Sequence, residues 1–557
     1  MKTKNPIIQS TLHPILSWLA LPALALALAA GSSNLGATDF FSFKDGSWLD
    51  SVNPPWVPSG IPGNGDNVTI SHNIQFASSS AVSVTVSNLN LNGGTLSFWG
   101  NGSLTMAGTD SLFTGTNLLT GNGGVLHNHG TVFQSSAGTL NLGYATTFEN
   151  QMGGSYNLEG DGGFSSGGNS SFNNSGLLRK SGGNGTSIFS SVYLNNLNGV
   201  IEVDSGTLSL AGGGSSSNGT FNVASGAVLD LTGGTSPTWA GLVSGSGAGT
   251  VSFSSGTINS SPSLTLNLPG GLFQWTGGRF TGTTINSNVV TIAGSGSVAV
   301  NDWCAFYNSG VVHHTNAATL NIGYGATFAN QAGGSYNLEG DGGFSSSIGN
   351  AAFNNSGLLR KSAGNGISSF GVNSGVAFNN LNGSIEVDSG QLSLNGHSYA
   401  QGSGSFIVTL GGTNAGQSGQ LLCGAATLGG PLQVKLASGY LPALGDQFQI
   451  LSSSSRSGTF TALNVPGGIS VTYSNNGVFL VVTGTVPAQI VNPMLSGTNF
   501  AFSYGTVSNQ SYTVQRNDDL ATTNWVFYTN FTGNGSLMQV LAPVTNTPQR
   551  FFRVKCP

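Results

Sequence analysis

The chain repeats itself, and that constrains its fold more than any other feature. The run Thr139-Leu140-Asn141-Leu142-Gly143-Tyr144 returns as Thr319-Leu320-Asn321-Ile322-Gly323-Tyr324, an offset of 180 residues (319 − 139). Residues 153–164 return unchanged at 333–344, residues 173–181 at 354–362, and residues 201–206 at 385–390. The offset grows only to 184 (385 − 201), so insertions between the copies are small. Tandem self-similarity points to stacked, repeat-built architectures.

A shorter beat runs inside each copy. In the first, Asn128, Asn150, Asn174 and Asn196 follow one another at steps of 22, 24 and 22, and Asn218-Gly219 continues the count. In the second, Asn308, Asn330, Asn355 and Asn380 step by 22, 25 and 25. An apolar residue stands two places before each (Leu126, Phe148, Phe172, Leu194; Phe306, Phe328, Phe353, Phe378), and a Gly follows two or three places later. Between beats the pattern alternates: Ile201, Val203, Leu208 and Leu210 against Glu202 and Asp204. Alternation is the strand signature, and Gly and Asn supply corners. The expected fold is all-β: a right-handed parallel β-solenoid with a duplicated ~180-residue unit, followed by a C-terminal β-sandwich module. Propeller blades need about 40 residues each, nearly twice this beat. Like residues then stack about 4.8 Å apart, with Phe and Leu inside and buried Asn amides bonded rung to rung.

Composition agrees. Charged residues are only 6%, as expected where any inward charge would stack against its own copy. With 14 Lys and Arg and a net charge of −5, the chain lacks the basic surface that nucleic acid requires. Cys304, Cys423 and Cys556 have neither disulfide-framework nor metal-ligand spacing. Lys2 and Lys4 precede an apolar run over residues 15–30 that Pro22 interrupts. This predicts a secretory signal peptide over 1–37, cleaved after Ala29 or Ala37, rather than a membrane anchor. Beyond it no integral membrane segment is expected.

The expected domains are an N-terminal cap (38–85) carrying Trp48 and Trp56, solenoid units at 86–262 and 263–412, a solenoid-closing segment (413–484) and the sandwich (485–557), with Trp525 buried. Phe172-Asn173-Asn174-Ser175-Gly176, Arg179-Lys180-Ser181-Gly182 and residues 199–210 resemble the repeats of autotransporter passengers and filamentous-haemagglutinin-type proteins. Residues 420–460, with Gly445-Asp446-Gln447-Phe448 and Ser457-Gly458-Thr459-Phe460, are similar to the segment that closes many autotransporter-like solenoids. The resemblance implies fold and secretion to the medium or outer cell surface, not an activity. An autotransporter would end in a membrane β-barrel, which residues 485–557 are too short to build, so export is expected to use a separate machine.

Catalysis by a β-helix lyase or hydrolase would need paired carboxylates. The candidates are Glu159 with Asp161 and Glu339 with Asp341, with Arg179-Lys180 and Arg360-Lys361 one coil later. Their duplication within a Gly-rich pattern favours a solvated turn and an exposed basic face over a catalytic centre. His127, His129, His313 and His314 have no third ligand in step, and the Gly/Asp runs lack the nine-residue calcium repeat. No cofactor or metal is expected. The predicted role is adhesive and structural, with an extracellular polysaccharide, a cell surface or another copy of the chain as partner. The candidate binding residues are Tyr156, Asn157, Glu159 and Asp161 with Tyr336, Asn337, Glu339 and Asp341, presented on two similar faces about 38 Å apart.

Overall fold

The computed structural model describes residues 36–556 except 77–81, 99, 122, 136–137, 347–348, 372–375 and 545–548. The expected signal peptide, apart from its last two residues, lies outside the described residues. The chain is all-β, a right-handed parallel β-solenoid of about 15 turns. No helix of the described residues is long and apolar enough to cross a membrane.

The coils of the duplicated units carry three strands, and each of these pairs in parallel with the strand three places on. Val125–Asn128, Thr147–Asn150, Ser171–Asn174 and Tyr193–Leu197 stack on a first face. Thr131–Gln134, Ser155–Leu158, Leu177–Lys180 and Val200–Val203 stack on a second. Leu140–Leu142, Phe164–Ser166 and Thr186–Ser190 stack on a third. Strict alternation turns every second side chain inward. Like rings therefore meet coil upon coil: Phe148 on Phe172 at 4.9 Å and Phe328 on Phe353 at 5.3 Å, stacked with nearly parallel planes. Such pairs add about 0.5–1.5 kcal/mol each beyond the area they bury.

The marking asparagines form the ladder. Asn128 Nδ2 donates to Asn150 Oδ1, Asn150 to Asn174, and Asn174 to Asn196, each at 2.8 Å. Each Nδ2 also donates to a carbonyl of the following coil, on Ser155, Leu177 and Val200. The trailing glycine is steric: a Cβ on Gly199 would sit 2.4 Å from both Asn174 Nδ2 and Asn196 Oδ1. In the second copy the ladder runs Asn286, Asn308, Asn330, Asn355, Asn380, one rung earlier than the count from sequence. Asn218 does not continue the first ladder. Ser216 pairs with Asn196, while Asn218 takes a left-handed corner and bonds Asn198 outside.

At the N-terminal end a coil already forms within 38–85, because Asp39–Ser42 pairs in parallel with Asn67–Ile70. The antiparallel Trp56–Val57 covers it, with Trp48 and Trp56 fully buried edge to face. At the other end the parallel stack gives way to antiparallel pairing of Gln447–Gly458, Gly477–Val482 and Ile469–Ser474. The C-terminal module is two three-stranded antiparallel sheets around Phe502, Tyr504, Tyr512, Val514 and Val540. Its Trp525 is not in the core: it is partly exposed, with the Arg553 guanidinium over its ring at 4.4 Å.

Candidate functional site

The duplicated units are not in phase. From Ser171–Asn174 the first face runs through eight pairings to Gly343–Ser345. The duplicate of Ser171–Asn174 is the next strand, Ala352–Asn355, which continues the second face. The copies thus lie eight and a third turns apart, about 40 Å along the stack, and their similar faces point in different directions. The shift arises in the linking coils, where Thr238–Ser246, Thr257–Asn267 and Arg279–Asn286 each run through the first corner and serve two faces.

Tyr156 and Tyr336, expected on the surface, are fully buried, which corrects that expectation. Each shares the inward side of its strand with a leucine, Leu158 or Leu338. The Tyr156 hydroxyl donates to Gln134 Oε1 at 2.6 Å; in the second copy His314 Nδ1 takes Gln134's place against the Tyr336 hydroxyl at 2.8 Å. His314 Nε2 donates to the Ala318 carbonyl at 2.8 Å, which sets the neutral tautomer. Burial lowers its pKa to about 4.

Lys180 and Lys361 are also inward and fully buried, correcting the expected exposed basic face. Lys180 Nζ donates to the carbonyls of Gly160 and Gly182 and to Asp161 Oδ1, all at 2.9 Å, with Ser187 Oγ at 3.2 Å. Lys361 repeats this with Gly340, Ala363, Asp341 and Ser368. The bond from Lys180 is the main cause holding the Asp161 carboxyl below its ordinary value. The Glu-Gly-Asp-Gly-Gly corner is thus a cradle for a buried ammonium. Glu159 stands exposed, and Glu339 pairs with His313.

On the outward side Asn157, itself largely buried, lies in register with Arg179, and Arg179 with Glu202. Arg179 holds Glu202 at 2.9 Å and Asp204 at 2.6 Å. In the second copy Asn337 precedes Arg360, which holds Glu386 at 3.5 Å and Asp388 at 2.7 Å; Lys435 adds a second cation to the buried Glu386 at 2.7 Å. Sequence reading did not single out these four carboxylates. The signal was there, because Arg179 and Glu202 occupy equivalent places one beat apart.

The first face carries a groove of about 390 Å³ lined by Glu149, Gln151, Asn173, Ser175, Asn195 and Ser215, among others. Asn195 Nδ2 donates to Asn173 Oδ1, and Ser215 Oγ to Asn195 Oδ1, both at 2.9 Å. Glu149 accepts from Gln151 at 2.7 Å and lies 3.1 Å from His127 Nδ1. In the second copy Ala329 replaces Glu149. Among the described residues no group of three or more His, Cys, Asp and Glu is placed to hold a metal ion. No family model matches the chain, and no curated protein matches it.

Proposed function

We propose that this is a non-catalytic adhesive and structural protein, secreted or displayed on the outer cell surface, whose solenoid binds extracellular polysaccharide. The groove over Asn173 and Asn195 is the observation that carries the reading: it offers amide donors and acceptors in register along successive coils. A polymer with hydroxyls at a regular spacing is the ligand that such an array fits. The basic, apolar start of the chain and the resemblance to autotransporter passengers and filamentous haemagglutinins support export and surface display. Asp161 and Asp341 are engaged by buried lysines, which supports a structural role for them. The test is a glycan array on the mature chain with a parallel assay for new reducing ends. Binding without chain scission, weakened about tenfold by joint Asn173→Ala and Asn195→Ala, is expected. Release of oligosaccharides by the wild type would overturn the reading.

A second reading, a carbohydrate-active lyase or hydrolase, draws on Glu386 and Asp388 beside Arg360 and Lys435. It requires that Glu386→Gln abolish any polysaccharide degradation found.

A further inference from the structure

The corner between the first and second faces in the second copy carries aromatic residues that the groove does not explain. Trp303 is 78% exposed and Tyr324, one coil on, is 46% exposed. Both take left-handed backbone, with φ of 60° and 52°, as does Asp302 at 56°. Large aromatic residues seldom adopt this conformation, and such backbone concentrates at ligand sites. The corner is tied down from below: Trp303 N–H donates to the Tyr324 carbonyl at 3.0 Å, and Cys304, the next residue, is buried.

The ring also has a prepared seat. A Cβ on Gly325 would lie 2.6 Å from Trp303 Cε3 and Cζ3, so the indole covers this glycine and packs there only because the side chain is missing. The duplicated unit supplies an internal control. The counterparts of Trp303 and Gly325 are Gly123 and Ala145 (offset 180), so the copy without the indole carries the methyl group that would obstruct it. Tyr144, the counterpart of Tyr324, is exposed in the same left-handed conformation but has no second ring beside it in sequence register. Asp302, the residue before Trp303, lies 3.7 Å from Arg279 of the preceding coil, and both are about half exposed.

We propose that Trp303 and Tyr324 form a stacking platform for the pyranose rings of a polysaccharide strand, with Asp302 and Arg279 bonding its hydroxyls. The inference rests on polysaccharide as the ligand and adds a second site, on a different part of the solenoid from the groove. An aromatic face attracts the polarised C–H groups on the flat side of a sugar ring, and the sugar's rim of hydroxyls needs donors and acceptors beside the ring. A protein partner would call for a rimmed, desolvated pocket, whereas Trp303 is 78% exposed and directly follows a half-exposed carboxylate, Asp302. Aromatic residues from neighbouring coils, about 4.8 Å apart in the stacking direction, suit consecutive sugar units better than a single small molecule.

The test is native affinity electrophoresis of the full mature chain through gels containing hydroxyethylcellulose, xylan, laminarin or pullulan, with iodide quenching of tryptophan fluorescence read alongside. At least one polysaccharide should retard the wild type and shield its exposed tryptophan from iodide. Trp303→Ala should weaken that retardation roughly 10-fold or more, and Trp303→Tyr should restore part of it. Gly325→Ala, which displaces the indole without deleting it, should also weaken binding. The groove pair Asn173→Ala and Asn195→Ala should leave the iodide shielding intact. Equal retardation of Trp303→Ala and wild type would overturn the platform while leaving polysaccharide binding standing. A wild type that none of the four polymers retards would overturn both.

Discussion

The two copies of the duplicated unit solve the same packing problem with different residues at one interior position. Gln134 and His314 occupy equivalent places, and each meets the hydroxyl of the buried tyrosine one coil on. Each also donates to a nearby backbone carbonyl, Gly138 for Gln134 and Ala318 for His314. What the interior needs is an acceptor for the tyrosine and a donor for the chain, and a neutral imidazole serves as well as an amide. The two differ in their response to protons. Equivalence at neutral pH and divergence in acid is the comparison that experiment can break.

The largest effect is expected where the copies agree. Lys180→Ala and Lys361→Ala each empty the space of a fully buried side chain and leave the Gly182 or Ala363 carbonyl without its donor, at a cost of roughly 3–5 kcal/mol. Hydrogen exchange within each unit should register nearly equal losses; a gap much above ~1 kcal/mol would show that the cradles are not equivalent. Interior rungs come next. Asn174→Ala and Asn355→Ala should each cost roughly 1–3 kcal/mol, because the neighbouring amides lose partners in a dry interior. Melting curves that match those of an exposed serine-to-alanine control would count against the ladder.

The acid response separates the copies. His314 titrates at about 4 in the folded chain against an ordinary 6.5, so below 6.5 the unfolded chain binds the extra proton. Its contribution is therefore complete above about pH 6.5 and falls away as pH drops toward 4, by ~1 kcal/mol at about pH 5.5. His314→Gln, which installs the first copy's residue, should flatten this dependence, and Gln134→His should introduce it into the first unit. Denaturation midpoints between about pH 7 and 5 that do not move relative to wild type in either variant would refute the assignment. The smallest effects concern the half-exposed arginines. Arg179→Ala and Arg360→Ala should each cost less than about 1 kcal/mol after solvent screening. Arg360→Ala should be the milder, because Lys435 still neutralises Glu386, and a double-mutant cycle with Lys435→Ala would measure that compensation.

Much of this was legible from residue order. Leu126, Phe148 and Phe172 mark inward positions two residues before a buried amide, and the strands obey that alternation. The same rule, applied strictly, would have turned Tyr156 and Lys180 inward, since each shares its strand's inward side with a leucine, Leu158 and Leu178. Chemical type misled where spacing did not. A lysine reads as surface until the corner that supplies its four acceptors is folded around it. The charge cluster at Glu386 was less accessible, because Lys435 lies 49 residues away and reaches it across two coils.

By itself, the sequence determined the coil: its length, which side chains face the core, and where asparagine and glycine must alternate. These are local consequences of a period of two and of corners that need small or left-handed residues. Only the tertiary structure decided which of three faces each strand joins. Alternation distinguishes inside from outside but not one face from another. The face is set by how many corners the chain has turned, and in the linking coils three long strands run through a corner that elsewhere is a break between strands. A duplicated unit therefore kept its interior and its ladder, yet was delivered a third of a turn out of phase.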